Sequence, residues 1–301
     1  MNLSVSIGTS TFNNPVTVAS GTFGYAEKYY YLQAVRKLGA LIPKTITLHA
    51  RQGNPPPRIM ETPSGMINAI GIENAGADVF IQETLPSLKK TGAPLIISVL
   101  GYSDDEFVAL AEKFNNHDGV SALELNLSCP NLKQKTLVAQ DPEATARVVR
   151  QVKQGSRLPI IAKLSPNVTD ITAIASAAEE AGADGLSLIN TFQAMAIDIH
   201  TRRPVLGNIS GGLSGPAIRP AALYMVYRVA QKVKIPIIAM GGIMTPEDAL
   251  EFIIAGATMV AVGTANFIDP KAPLAILAGI KDFMKRQKIP DINQLRQSLI
   301  E

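Results

Sequence analysis

Apolar residues in this chain gather in short, nearly unbroken runs rather than in strict alternation. The runs are Val16–Ser20, Ala40–Thr45, Leu95–Leu100, Ala122–Leu127, Ile160–Leu164, Gly185–Asn190, Ile237–Met240 and Met259–Gly263, and most are rich in β-branched residues. Strands apolar at successive positions are buried on both faces, as in a parallel sheet. Between them lie amphipathic stretches with helix start signals. Asp104-Asp105-Glu106 opens one, Asp141-Pro142-Glu143 another and Thr245-Pro246-Glu247-Asp248 a third. Capping residues, early acidic residues and first-turn prolines satisfy or complement the free N–H groups of a helix start. Gly182-Ala183 and Gly256-Ala257 supply the matching stops.

Strand and helix alternating eight times predict a (β/α)8 TIM barrel, with an open doubly wound sheet as the other arrangement. No linker or compositional break divides residues 1–301, so a single domain is expected. Two connections, His49–Asn74 and Phe192–Pro216, are too long for plain turns. Following strands two and six, they are expected as walls or lids of a site on the C-terminal face.

Composition narrows the classes. A hydrophobic content of 47% with 18% charged residues describes a chain that buries a large core. The formal charge of +3 comes without a basic run interleaved with aromatics, so no nucleic-acid partner is expected. The N-terminus lacks a signal-peptide pattern, and no stretch approaches the roughly 20 apolar residues of a membrane span; the expectation is a soluble, cytoplasmic protein with no membrane partner. One cysteine, Cys129, excludes an internal disulfide and a cysteine-ligated iron–sulfur cluster within the chain. His49, His117 and His200 show no metal-ligand spacing, and no metal site is expected.

The strand ends collect the candidate chemistry. In order they offer Ser20-Gly21, Lys44-Thr45, Ser98, Asn126 with Ser128-Cys129, Lys163, Asn190-Thr191, Gly241-Gly242 and Gly263-Thr264. The glycines after the last two strands leave backbone N–H groups bare enough for a phosphate. Cys129 is the one candidate thiol base or nucleophile. These residues alone leave a second possibility open: a barrel aldolase or isomerase without flavin, using Lys44 or Lys163 as a Schiff base.

The segments LELNLSCPN, AKLSPNVTD, LSLINT, GNISGGLSGPAI, IIAMGGI and AVGTANF, in this order, closely resemble dihydroorotate dehydrogenases. The likeness runs from about Val16 to Pro270. Cysteine in the Ser-Cys-Pro-Asn loop is similar to the soluble enzymes, and LIPKTITLHARQGNPPPRIMETPSGMINAIGIEN resembles the catalytic subunit of the NAD-linked, two-subunit type (class 1B) more than the stand-alone fumarate-reducing type.

The resemblance implies FMN in this chain, with its phosphate at Gly241, Gly242, Gly263 and Thr264. It places Ser20, Gly21, Lys44, Thr45, Ser98, Asn126, Lys163, Ile189 and Gly215 along the flavin. Dihydroorotate or orotate would meet Lys44 through its carboxylate, and Asn68, Asn126, Asn131, Asn190 and Thr191 through its ring, beside Ala69, Ile70, Gly71 and Ile72. Lys44 thereby disfavours uracil-like substrates, which lack a carboxylate. Cys129 would be the base that removes the C5 proton. The implied partner is an electron-transfer subunit with FAD and a 2Fe–2S cluster, two such chains flanking two catalytic chains. Two positions depart from the family pattern: the flap segment LKQKTLVAQDP has no glycine, and Ser98 stands where an asparagine is common. The altered flap is also the one feature that suits a weakened barrel retained as a scaffold.

Overall fold

The computed structural model describes residues 1–25, 35–128 and 138–300. Seven strands form one parallel sheet: β1 (Val16–Val18), β2 (Leu95–Val99), β3 (Val120–Asn126), β4 (Ile160–Lys163), β5 (Gly185–Leu188), β6 (Ile237–Ala239) and β7 (Met259–Val262). Their spatial order is β1-β7-β6-β5-β4-β3-β2, each step a parallel pairing, with one register shift between Leu95 and Ile96 where β2 meets β3. Strands β2, β4, β5, β6 and β7 are buried at every position, as unbroken apolar runs require when helices cover the sheet.

The eighth expected strand, Ala40–Thr45, is not a regular strand. Along its backbone the segment pairs with β2 through isolated parallel bridges at Leu41–Leu95 and, one residue beyond it, Ile46–Val99. Pro43 explains the gap, because a proline has no N–H to give to a ladder. Between the bridges the chain leaves the sheet, and Lys44 N bonds Gly24 O instead. On the other side Gly39 N donates to Val16 O and Thr17 Oγ1 to Ala40 O, so the segment reaches β1 as well as β2.

Helices begin where the sequence signals them. Ser103 caps Asp104–Phe114, Asp141 caps Pro142–Gly155, and Thr245 with Asp248 forms a reciprocal capping box on Pro246–Ile254. Gly182 and Gly256 end their helices in the left-handed region, where a Cβ is disfavoured. No helix of the described residues is long and apolar enough to cross a membrane.

The two long connections do not stay irregular. Ile59–Thr62 and Gly65–Asn68 from the first pair with Ser210–Ser214 and Phe192–Met195 from the second, giving a four-stranded antiparallel sheet. Its register sets Gly212 against Asn68 and Leu213 against Ile67. One face packs Ile67, Ala69 and Leu206 into a small apolar cluster separate from the main core. Glycine is required here by contact: a Cβ on Gly211 would lie 2.5 Å from Asn68 O, and one on Gly212 would lie 2.0 Å from Thr191 Oγ1.

The capping box supplies a direct stability test. Thr245→Ala should lower stability by about 0.5–2 kcal/mol, read from the midpoint of denaturant unfolding at unchanged slope.

Candidate active site

A cavity of about 350 Å³ opens between the C-terminal ends of the parallel strands and the antiparallel cap. From the strand ends it takes Ser20, Gly21, Asn126, Lys163, Ile189, Asn190, Thr191, Gly241, Gly242, Gly263 and Thr264, and from the irregular segment Lys44 and Thr45. The cap gives Asn68, Ile70, Gly71, Ile72 and Gly215. Strand geometry accounts for the exception in this stretch. Met66 and Asn68 line the cavity, whereas Ile67 and Ala69 fall on the opposite face and pack in the small cluster.

Ser98 is fully buried and outside the lining, its hydroxyl 2.9 Å from Thr45 Oγ1. Cys129 and Asn131, the candidate base and one candidate ring contact, lie outside the described residues. The chain that leads to them is fixed by the cavity wall. Ser128 N donates to Asn126 Oδ1 at 3.3 Å, and Asn190 Nδ2 donates to Ser128 Oγ at 2.9 Å and to Asn126 Oδ1 at 3.3 Å. Asn190 Oδ1 accepts from Thr191 N, which fixes the orientation of its amide.

Two cations face the cavity under different conditions. Lys44 makes no ion pair or side-chain hydrogen bond among the described residues. Burial lowers its pKa from the ordinary 10.5; the charge of Glu73 works the other way and that of Arg58 adds to the lowering. Glu73 is itself paired with Arg58, so Lys44 has no dedicated counter-ion. Lys163 is deeper and is compensated: its Nζ lies 3.1 Å from Ser20 Oγ and 3.4 Å from Glu124 Oε1. Glu124 is fully buried, and its second oxygen accepts from Ser187 Oγ at 2.9 Å.

The glycines at the rim divide by physical role. A Cβ on Gly241 would lie 2.6 Å from Ala222 Cβ, and one on Gly242 would lie 2.7 Å from Arg219 Cβ; both residues have positive φ. Their first constraint is packing. Gly263 differs, since a Cβ there would have only Ala19 Cβ, at 3.7 Å, for a neighbour. It lines the cavity and leaves its backbone open to whatever enters.

Some residues of the site were not singled out from sequence. Glu124 carried a signal, a carboxylate inside an otherwise buried strand. Asn167 had less: its Nδ2 donates to Thr191 O at 3.0 Å, and its Oδ1 accepts from Gln193 N at 2.9 Å, so it joins the strand end to the cap. Met66, Ser214 and Phe267 reach the cavity through cap and rim geometry that no local pattern announces.

The cavity thus combines an unpaired cation, a compensated cation, three side-chain amides and a bare backbone rim. The arrangement suits an anionic, amide-bearing ring together with a larger ligand that presents a phosphate. The family model for dihydroorotate dehydrogenase matches residues 2–284. Relatives include the catalytic subunit of dihydroorotate dehydrogenase B (NAD(+)) from Desulforudis audaxviator, 53% identical over 292 residues, which are 97% of this chain and 95% of the relative. The protein of the same name from Geotalea daltonii is 51% identical, covering 97% of this chain and 96% of its own. That from Thermodesulfovibrio yellowstonii is 48% identical over 99% of both chains.

Proposed function

The chain belongs to the dihydroorotate dehydrogenase family, and on that premise we propose that it oxidises dihydroorotate to orotate in pyrimidine biosynthesis, with FMN in the cavity. Lys44 carries the reading: an unpaired, half-buried ammonium beside a wall of amides matches a ligand with one carboxylate and a cyclic imide edge. In this assignment Lys44 holds the carboxylate, while Asn68, Asn126, Asn190 and Thr191 orient the ring. Asn131 is assigned to the same ring from the sequence.

FMN fits the donor set. The open backbone at Gly263-Thr264, with Gly241-Gly242 beside it, suits a phosphate. Lys163 and Ser20 offer donors to the ring, and Gly21, Thr45, Ile189 and Gly215 complete its walls. Bound FMN would supply the acceptor for the hydride that leaves C6. The C5 proton goes to the thiolate form of Cys129, which becomes the thiol; with an unperturbed pKa near 8.5, a cysteine offers this base near neutrality far more readily than serine offers its alkoxide. Support for Cys129 comes from Ser128, anchored to Asn126 and Asn190 at the cavity wall one residue earlier.

The same reading makes the Gly39–Ile46 segment the second stave of a (β/α)8 barrel in one cytoplasmic domain. It assigns reoxidation to a second subunit with FAD and a 2Fe–2S cluster that passes electrons to NAD. Two such subunits would flank two catalytic chains. The names of the relatives, catalytic subunits of an NAD(+) enzyme, support this division of labour.

Anaerobic titration with dihydroorotate tests the reaction. The flavin of the purified chain should bleach, and Cys129→Ala should bind orotate yet bleach about 10²–10⁴-fold more slowly at neutral pH. Loss of only a few-fold would return Cys129 to the role of an ordinary thiol.

Orotate binding should depend on pH through Lys44. The bound carboxylate favours the ammonium, so the complex holds this proton more tightly than the free site does. Affinity should therefore fall as pH rises, starting below the ordinary lysine value of 10.5. Lys44→Ala should weaken orotate roughly tenfold or more and remove this step, while leaving uracil-like ligands little changed.

Gly263→Val is the matched test of the phosphate rim. With its Cβ in no more than ordinary contact with Ala19 Cβ, 3.7 Å away, the variant should fold normally and purify colourless. A normal flavin content would move the phosphate elsewhere.

A further inference from the structure

Glu124 has no place in the chemistry assigned so far. It is fully buried in the middle of β3, is not among the residues that line the cavity, and its side chain bonds Lys163 and Ser187 among the described residues. Lys163 does reach the cavity, and its other side-chain partner among the described residues is Ser20, which lines the cavity too. The connected order is therefore Ser187, Glu124, Lys163, Ser20, then the ligand space.

A carboxylate in the sheet interior would be replaceable by an apolar side chain if it served packing alone. Its position beside a lysine that must keep a charged head at the cavity gives it a different use. We propose that Glu124 is a positioning residue that fixes the Lys163 ammonium at the cavity and offsets its charge, thereby setting the reduction potential of the flavin; this rests on the FMN reading above. Both groups are buried, so salt screens them little, and their charges act on the cavity that Lys163 lines. Uncompensated positive charge next to a flavin favours added electrons, and uncompensated negative charge opposes them.

The test is a charge cycle on the flavin-loaded protein, with flavin content measured first and midpoint potential second. Glu124→Gln keeps the shape and can still accept from Ser187, so it removes charge alone; its potential should shift upward. Lys163→Gln should shift it downward. The double variant should lie between the two, near the wild type. Glu124→Asp, which retains the charge, should stay closer to wild type than Glu124→Gln does. A role limited to packing would not move the potential in opposite directions for the two partners.

A flavin-bearing Glu124→Gln protein with the wild-type potential would overturn the inference and leave the FMN reading intact. Wild-type protein without flavin would overturn both. Should Glu124→Gln fail to fold, the comparison of Lys163→Gln with the double variant decides. A higher potential in the double variant supports the inference, and coincident potentials sink it.

Discussion

Because the seven strands of the main sheet run one way, every C-terminal end opens on the same side. Parallel pairing needs a helix between successive strands, and those helices cover the sheet. The interior is thereby committed to apolar side chains at nearly every position. Polar groups are displaced to the strand ends, where Asn126, Lys163 and Asn190 gather although they lie far apart in sequence. Chemistry at one rim is a consequence of strand direction. The rest of the site elaborates that constraint.

What enters the interior despite the rule comes in pairs. Thr45 meets Ser98, Thr17 meets a backbone carbonyl, and Lys163 meets Glu124, which Ser187 supports. Breaking a buried charge pair by removing one member typically costs about 3–5 kcal/mol, so such groups persist only in company. Lys44 departs from this pattern. It is held at the cavity by a stretch of chain that Pro43 has released from the ladder, and among the described residues no side chain pairs with it. The contrast between the two lysines separates a group fixed by the fold from one left for a ligand.

Legibility followed the strength of local rules. The strands read well because seven apolar runs had only one burial pattern to satisfy, and the helix starts read well because caps are chemical requirements. Hydrophobicity alone predicts a regular strand over Ala40–Thr45, although Pro43 in its middle carries the opposing signal. The antiparallel cap looks in the sequence like two long loops. Its strands are short, one is Ser-Gly-Gly-Leu-Ser, and they pair with a segment far away in the chain, so neither propensity nor alternation could disclose them. Ala69 was grouped with the cavity residues beside it because parity within an unrecognised strand was invisible. Glu124 was legible as an anomaly but not as a partner, since its lysine lies on the next strand.

The cap has a thermodynamic consequence of its own. Asn68 bonds Gly212 across a separation of 144 residues, so the cap closes only when most of the intervening chain is already in place. Loop-closure entropy sets its pairing against a long tether, and its small apolar cluster holds far fewer side chains than the main core. Such a region opens at a lower free energy than the strands beneath it. A ligand touching both Asn68 in the cap and Asn126 in the floor binds only the closed arrangement. Its binding free energy is then added to the cap's own, and occupancy of the cavity becomes a clamp between two parts of the chain that differ in local stability.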